Sequence, residues 1–304
     1  MKEAAMRRRF VTLDVFTERR FTGNPLAVVL EAENLDTVAM QAIAREFGHP
    51  ETVFVLPPAD SAHRARLRIF TPASELPFAG HPTVGTAMLL GRIDGGAAER
   101  ELVVEENIGT VRCRAAMIDR DRGRASFALP RLPAEAGVGP DAAAAAAALS
   151  LDPADIGFDG LRPSCWSAGI AQTFVPVRSL AAIARARPDP ARFDAVFSSG
   201  GRPVVYLYCN EAAEAGHDFH ARMFAPKLGV AEDPATGSAA AAFAGLLSAH
   251  RPMGEGEHTV RIEQGYEMGR PSLIELTMKI SGGKLAAATI GGDAVVVTEG
   301  VIEA

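Results

Sequence analysis

Two short segments of this chain repeat one another, and the repeat limits the fold more than any other feature. His81-Pro82-Thr83-Val84-Gly85-Thr86-Ala87 leads into an apolar run ending at Leu90, and Asp233-Pro234-Ala235-Thr236-Gly237-Ser238-Ala239 leads into AAAFAGLL. Both read P-x-x-G-[ST]-A, and they stand 233 − 81 = 152 residues apart in a chain of 304. Each copy follows a strand-like segment, RARLRIF or HDFHARMF, by a short loop. A helix that is apolar all round must be enclosed, so each copy predicts a helix wrapped by its own sheet. The repeat therefore predicts a duplicated domain.

Strand signals dominate the remainder. Val11, Leu13 and Val15 alternate within FVTLDVF, and Ala65, Leu67 and Ile69 alternate with Arg64, Arg66 and Arg68. Period-two patterns of this kind mark half-buried strands, typical of antiparallel sheets. Similar runs follow at ELVVEE, RASFAL, TFVPVR, PVVYLY, TVRIEQ, LIELTMKI and KLAAATI. One further helix starts at Asp36 as its cap and stops at Gly48; another begins at Asp141 and runs through seven alanines. The stretch before that, LPRLPAEAGVGPD, holds three prolines and two glycines and reads as a linker. The predicted domains are 8–129 and 130–304, with the last strand able to return to the first.

Charge and cysteines narrow the function classes. A net charge of −6 argues against a nucleic-acid partner, which needs a basic face. No run approaches the roughly 18 apolar residues of a membrane span. MKEAAMRRRF has a basic cluster with no apolar run after it and reads as a charged tail, not a secretory signal. Cys113, Cys165 and Cys209 fall in no ligand spacing, which points to a reducing, cytoplasmic setting. In HDFH, His217 and His220 sit at i and i+3 of a predicted strand, facing opposite ways, so the pair is not expected to chelate.

The residues at the two helix starts carry the chemistry. Pro at the first helical position, followed by hydroxyl residues, suits a helix start, where backbone N–H groups are unpaired and the dipole is positive. Such ends hold a carboxylate or a developing enolate. Gly85 and Gly237 either let a ligand approach the backbone or only permit close helix–sheet packing. His81 and Asp233 stand at equivalent positions before the two prolines; alone, the first reads as a loop residue and the second as a helix cap. Glu51 opens the apolar strand ETVFVL. It is either solvated at the sheet end or partly buried, and burial would suit it to hold and give a proton near neutrality. Arg222 and Gln264 read equally well as cleft residues or as a salt bridge and a sheet-end hydrogen bond, and Trp166 as a packing residue.

Five blocks resemble the PhzF-like, phenazine-biosynthesis family, in the family's order. They are LDVFTERRFTGNPLAVV at 13–29, ETVFV at 51–55, ELPFAGHPTVGTA at 75–87, RMFAPKLGVAEDPATGSAAAA at 222–242 and IEQGYEMGRPS at 262–272. The resemblance implies a diaminopimelate-epimerase-like α+β fold: two similar domains, each an antiparallel sheet curled around a central helix, with an active-site cleft between them. It implies an isomerase in which Glu51 is the catalytic acid/base. His81 and Asp233 match residues that hold the substrate's polar groups, and Gly80, Gly237 and Ser238 match positions that bind its carboxylate. A small-molecule carboxylate substrate, a homodimer, and no metal or organic cofactor are implied.

Related racemases and epimerases on this fold use two thiols, one from each helix start. Neither FAGHPTVGTA nor EDPATGSAAA contains a cysteine, so that chemistry is excluded here. Pro50 precedes Glu51 where many members have Ser, and it offers neither hydroxyl nor N–H. Three activities fit the residues. The first is proton transfer within a small cyclic or amino/hydroxy carboxylic acid. The others are non-catalytic carboxylate binding and single-base epimerisation on Glu51.

Overall fold

A computed structural model describes residues 6–96 and 98–304. It divides into two compact units, one ending at Pro130 but including Gly291–Ala304, the other Arg131–Ile290. The fold is mixed α+β and dominated by strands.

The first unit is built from β1 (Arg7–Val15), β2 (Asn24–Val29), α1 (Thr37–Phe47), β3 (Glu51–Leu56), β4 (Ala65–Phe70), β5 (Glu75–Leu76), α2 (Gly80–Asp94), β6 (Arg100–Glu106), β7 (Gly109–Met117) and β8 (Arg122–Ala128). The second holds β9 (Ala134–Gly137), α3 (Ala142–Ala148), β10 (Ser164–Ser167), β11 (Ala171–Pro176), α4 (Leu180–Arg185), α5 (Phe193–Phe197), β12 (Val205–Cys209), β13 (Phe219–Ala225), β14 (Val230–Asp233), α6 (Gly237–His250), β15 (Gly256–Gln264) and β16 (Ser272–Ser281). The last strand, β17 (Lys284–Glu303), starts in the second unit and ends in the first.

In both units the strand pairing is mixed rather than antiparallel. In the first unit β2 runs parallel to β3 and β4 parallel to β6, while β1–β17, β1–β2, β3–β4, β4–β5, β6–β7 and β7–β8 are antiparallel. In the second unit β11 runs parallel to β12 and β13 to β15. The reason is the connections. Each parallel pair spans a helical crossover, α1 or α2 in one unit, α4 with α5 or α6 in the other, and a crossover returns the chain in the same direction. Pairings β17–β1 and β17–β8 close the first unit's strands into a ring of eight: β1, β2, β3, β4, β6, β7, β8 and β17.

Helix α2 packs against β1, β2, β3, β7 and β8, and every residue from Gly80 to Gly91 is buried. Gly85 is what allows that closeness: a Cβ there would lie 2.6 Å from Leu26 Cδ2 and 2.7 Å from Val15 Cγ2. Helix α6 is buried from Ala239 to Leu247, with Phe243 among Phe174, Tyr206, Tyr208 and Phe219. Trp166 packs on its Gly245 face. Small apolar residues all round each helix make this enclosure feasible without voids.

Local expectations fare unevenly. Asp36 caps α1 through the Ala39 N–H, and Gly48 ends it at φ 64°. Asp141 caps the alanine helix. The basic N-terminal segment is not a free tail from Arg7 onward, because Arg7–Phe10 pairs with Gly300–Glu303; residues 1–5 lie outside the described residues. The proline- and glycine-rich stretch is interrupted by β9, which pairs with β10.

Candidate active site

Glu51 opens β3 at the point where the parallel pairing sets it against Leu26 of β2. The neighbouring Pro25 carbonyl, also on β2, accepts a hydrogen bond from His81 in the first turn of α2. One strand thus positions both side chains. Glu51 Oε2 lies 3.4 Å from His81 Nε2, with the Glu51 side chain 17% and the His81 side chain 5% exposed.

This contact is not an ion pair. Burial pushes the His81 imidazole down to about 3, against the Pro25 bond that favours the charged ring, and nearby His49 lowers it further. His81 is neutral at physiological pH. Its Nε2 makes no conventional hydrogen bond, so the proton given to Pro25 sits on Nδ1 and Nε2 carries the lone pair.

The start of α2 differs from the expectation. The helix begins at Gly80, two residues before Pro82, with Ala79 as a cap residue that has no side-chain hydrogen bond to offer. Gly80 and His81 therefore present first-turn N–H groups that no side chain caps. Pro82 contributes no donor, which removes one orphan.

In the second unit the equivalent start lies later in the motif. Helix α6 begins at Gly237, three residues after Pro234, with Thr236 as the cap residue. Asp233 is the last residue of β14, not the helix cap; its Oδ2 accepts from Thr236 Oγ1 at 2.5 Å. Gly237 and Ser238 supply the first-turn N–H groups, and Ser238 Oγ lies 3.5 Å from Gln172 Nε2.

A buried amide holds that loop in place. Gln264 Oε1 accepts from the Thr236 N–H at 3.1 Å, while its Nε2 donates to the Asp233 carbonyl at 2.7 Å and to Thr236 Oγ1 at 3.0 Å. Gly265 follows at φ 80°, where a Cβ would meet the Pro234 carbonyl oxygen at 2.7 Å. The sequence alone leaves Gln264 open between a cleft residue and a sheet-end hydrogen bond. Its signal was the adjacent glycine, which marks close backbone approach.

Behind Gln264 lies a charged network. His217 precedes β13 rather than lying in it, so the strand argument about HDFH does not apply. His217 Nδ1 and His220 Nδ1 both reach the Glu263 carboxylate, at 2.7 and 2.6 Å. Burial alone would lower the His220 imidazole, but its bonds to Glu263 and Glu267 outweigh that and raise it to about 9. Arg222 is a salt-bridge residue: buried, bidentate to Glu232, and donating to the carbonyls of Ile183, Ala184 and Ala186. Among the described residues no group of three or more His, Cys, Asp or Glu is arranged to hold a metal. No described helix is long and apolar enough to cross a membrane.

Against known proteins, residues 13–300 match the model of the phenazine biosynthesis-like protein family, PhzC-PhzF. The chain belongs to that family. It is 48% identical to an uncharacterized isomerase of Mesorhizobium japonicum over 96% of this chain and 98% of that protein. It is 35% identical, over 96% and 98%, to the trans-2,3-dihydro-3-hydroxyanthranilate isomerase of Pseudomonas aeruginosa. A PhzF-family structure from Bacillus anthracis superposes with a TM-score of 0.88 at 25% identity, covering 98% of this chain and all of that one. The chain is accordingly an isomerase. In this family member the second helix start keeps EDPATGSA and the first keeps GHPTVGTA, and neither brings a thiol. The three cysteines are free and buried.

Proposed function

We propose that the chain moves a proton within a small carboxylic acid, with Glu51 as its single acid/base. In this reading His81 and Asp233 hold the substrate's polar groups. Gly80, Gly237 and Ser238 hold its carboxylate through N–H or hydroxyl groups.

The observation that carries the reading is the contact between Glu51 and a neutral His81. Moving a proton between two carbons needs one group that accepts at the first position and donates at the second. The lone pair on His81 Nε2 can accept from Glu51 only while the carboxyl carries the shuttled proton. When the proton leaves, the ring stays uncharged and does not lock Glu51 into an ion pair. The electrons of the broken C–H bond stay in the substrate as an enolate-like system, whose charge the helix N–H groups stabilise. A new C–H bond forms elsewhere, and the formula is unchanged.

The relative from Pseudomonas aeruginosa makes trans-2,3-dihydro-3-hydroxyanthranilate the first compound to assay. Pro50, without hydroxyl or N–H beside Glu51, favours a related carboxylic acid lacking the group a serine would bind. The test is Glu51→Gln, which keeps size and polarity but takes up no proton. Turnover of whichever acid the wild type converts should fall at least ~10²–10⁴-fold with binding retained. His81→Ala and Asp233→Ala should weaken both turnover and binding. Near-wild-type turnover by Glu51→Gln places the shuttle elsewhere and sinks the assignment.

A further inference from the structure

Strand β6 ends on an acid facing inward. Leu102, Val104 and Glu106 are its alternating buried positions, and Glu106 is 7% exposed. Its Oε1 lies 2.7 Å from Thr83 Oγ1, and that hydroxyl lies 2.7 Å from the Ala79 carbonyl oxygen. The Ala79 oxygen also accepts the Thr83 N–H at 3.2 Å. Glu106 Oε2 is buried and has no hydrogen-bond partner among the described residues.

Thr83 has one hydroxyl proton and two oxygens at bonding distance. If it donated to Glu106, the Ala79 oxygen would lose a partner and a buried carboxylate would keep one oxygen bare, a costly arrangement. If Glu106 is protonated, both contacts are satisfied in one direction: acid O–H to Thr83 Oγ1, Thr83 O–H to the Ala79 carbonyl. Desolvation raises the Glu106 carboxyl to about 8 against the opposing Thr83 bond, so the acid form prevails at neutral pH.

The Ala79 carbonyl and the Gly80 N–H are two ends of one peptide group. A carbonyl that accepts two hydrogen bonds draws electron density toward its oxygen and makes the attached N–H a better donor. We propose that Glu106 and Thr83 are positioning residues of the reaction: a neutral acid–hydroxyl relay that fixes the α2 start and strengthens the Gly80 N–H toward the substrate's carboxylate. This rests on Gly80 holding that carboxylate. Ionisation of Glu106 reverses the Thr83 hydroxyl and strips the carbonyl of its second bond.

The groups around Glu106 do not supply a competing charge. Thr83 faces it from α2, and Cys113 from β7 is a buried thiol pushed well above its usual range by desolvation and by Glu106 itself. The other charged side chains of β6 and its neighbours are engaged elsewhere or face outward: Arg64 with Asp94, Arg68 with Glu75, Glu105 with His63 and the Ala59 and Asp60 N–H groups, Arg114 with Glu101, and Arg112 on the exposed face of β7. Arg66 acts on Glu75, and none of them enters the Glu106 ionisation.

The test labels alanine carbonyls with ¹³C and glycine amides with ¹⁵N. Only five peptide groups in the chain then carry both labels, at Gly80, Gly137, Gly169, Gly216 and Gly245, and Gly80→Ala identifies the one of interest. In wild type the Ala79 carbonyl and Gly80 amide resonances should move together between pH 6.5 and 9.5, with a midpoint near 8. Glu106→Gln keeps a donor to Thr83, so its resonances should stay at the low-pH position throughout. Thr83→Val should hold them at the opposite position. Sulfate, added at constant ionic strength, is the anion probe for the Gly80 N–H. Its affinity should fall about two- to fourfold on crossing the midpoint in wild type and not in Glu106→Gln, given cooperative strengthening of roughly 10–30% of a charge-assisted bond. An Ala79 carbonyl that does not titrate, or titrates equally in Glu106→Gln, overturns the relay. A carbonyl that titrates beside a Gly80 amide blind to sulfate overturns Gly80 as the anion donor instead, which separates the two failures.

Discussion

At the start of α2 the chain gathers neutral groups. His81 is an uncharged imidazole donating to a carbonyl, and Glu106 is a carboxylic acid bonded to a hydroxyl. At the start of α6 an amide, Gln264, ties Asp233 to Thr236, and behind it the buried Glu263, His220 and Arg222 form an ionic network with the more exposed Glu267 and Glu232. The two starts share P-x-x-G-[ST]-A but are braced by opposite chemistry. Neutral bracing suits the start that carries the proposed proton shuttle, because a fixed charge beside Glu51 would favour one protonation state over the other. The ionic bracing lies behind Gln264, where fixed charges can hold a loop rigid.

The largest effect should come from one change made in both places. Glu263→Gln takes from the charged, buried His220 the carboxylate at its Nδ1 and leaves it only Glu267 at Nε2, a loss toward the lower end of about 3–5 kcal/mol. The side chains of Glu263 and His220 are 0% and 2% exposed, so water cannot compensate. Glu106→Gln replaces an acid that is already neutral and should shift stability by less than about 1 kcal/mol at pH 7. Urea unfolding of the two variants measures both. Equal losses would mean that Glu106 is ionised and that the two starts are braced alike.

A smaller effect belongs to Gln264→Leu. The leucine fills similar space but strands the Thr236 N–H and takes one hydrogen bond from the Asp233 carbonyl, at about 1–3 kcal/mol for a buried group left unmade. The loss should come with a floppier Asp233 loop, read as faster hydrogen exchange at the Thr236 amide. Protection unchanged at Thr236 would show that Gly265 packing on Pro234 holds the loop without the amide.

How much of this the sequence discloses follows from the range of each interaction. The wrapped helices, the caps at Asp36 and Asp141 and the alternating strands are written in local pattern, and those were legible. The parallel pairs β2–β3 and β4–β6 were not, since period two fixes which face a residue takes and not which strand it meets. Proline suggested where the helices begin, yet α2 starts before Pro82 and α6 after Pro234. Glu106 sat in view within ELVVEE, two residues beyond Val104 on the buried face. What the pattern could not supply was Thr83, 23 residues earlier, as its partner. The strand geometry that would turn His217 and His220 to opposite faces does not hold, because β13 starts only at Phe219.

The smallest effect at neutral pH, and the sharpest on the neutral half of the comparison, is the acid dependence of His81. The unfolded ring binds a proton near 6.5, whereas the folded ring does so only near 3. Between those values the unfolded state holds one more proton, so lowering the pH draws the protein toward it and stability falls. In His81→Gln that proton is gone, and the slope of unfolding free energy against pH should be shallower by up to about 1.4 kcal/mol per pH unit in that window. Above pH 7.5 both rings are neutral and the slopes should coincide. Carboxylates held low by their partners, such as Glu105 and Glu263, steepen the acid limb in both proteins, so only the difference between the curves counts. Parallel curves from pH 7 to 4 would mean that folded His81 takes its proton near the usual value, as half of an ion pair with Glu51. The first helix start would then be braced by charge like the second, and the shuttle would lose its neutral neighbour.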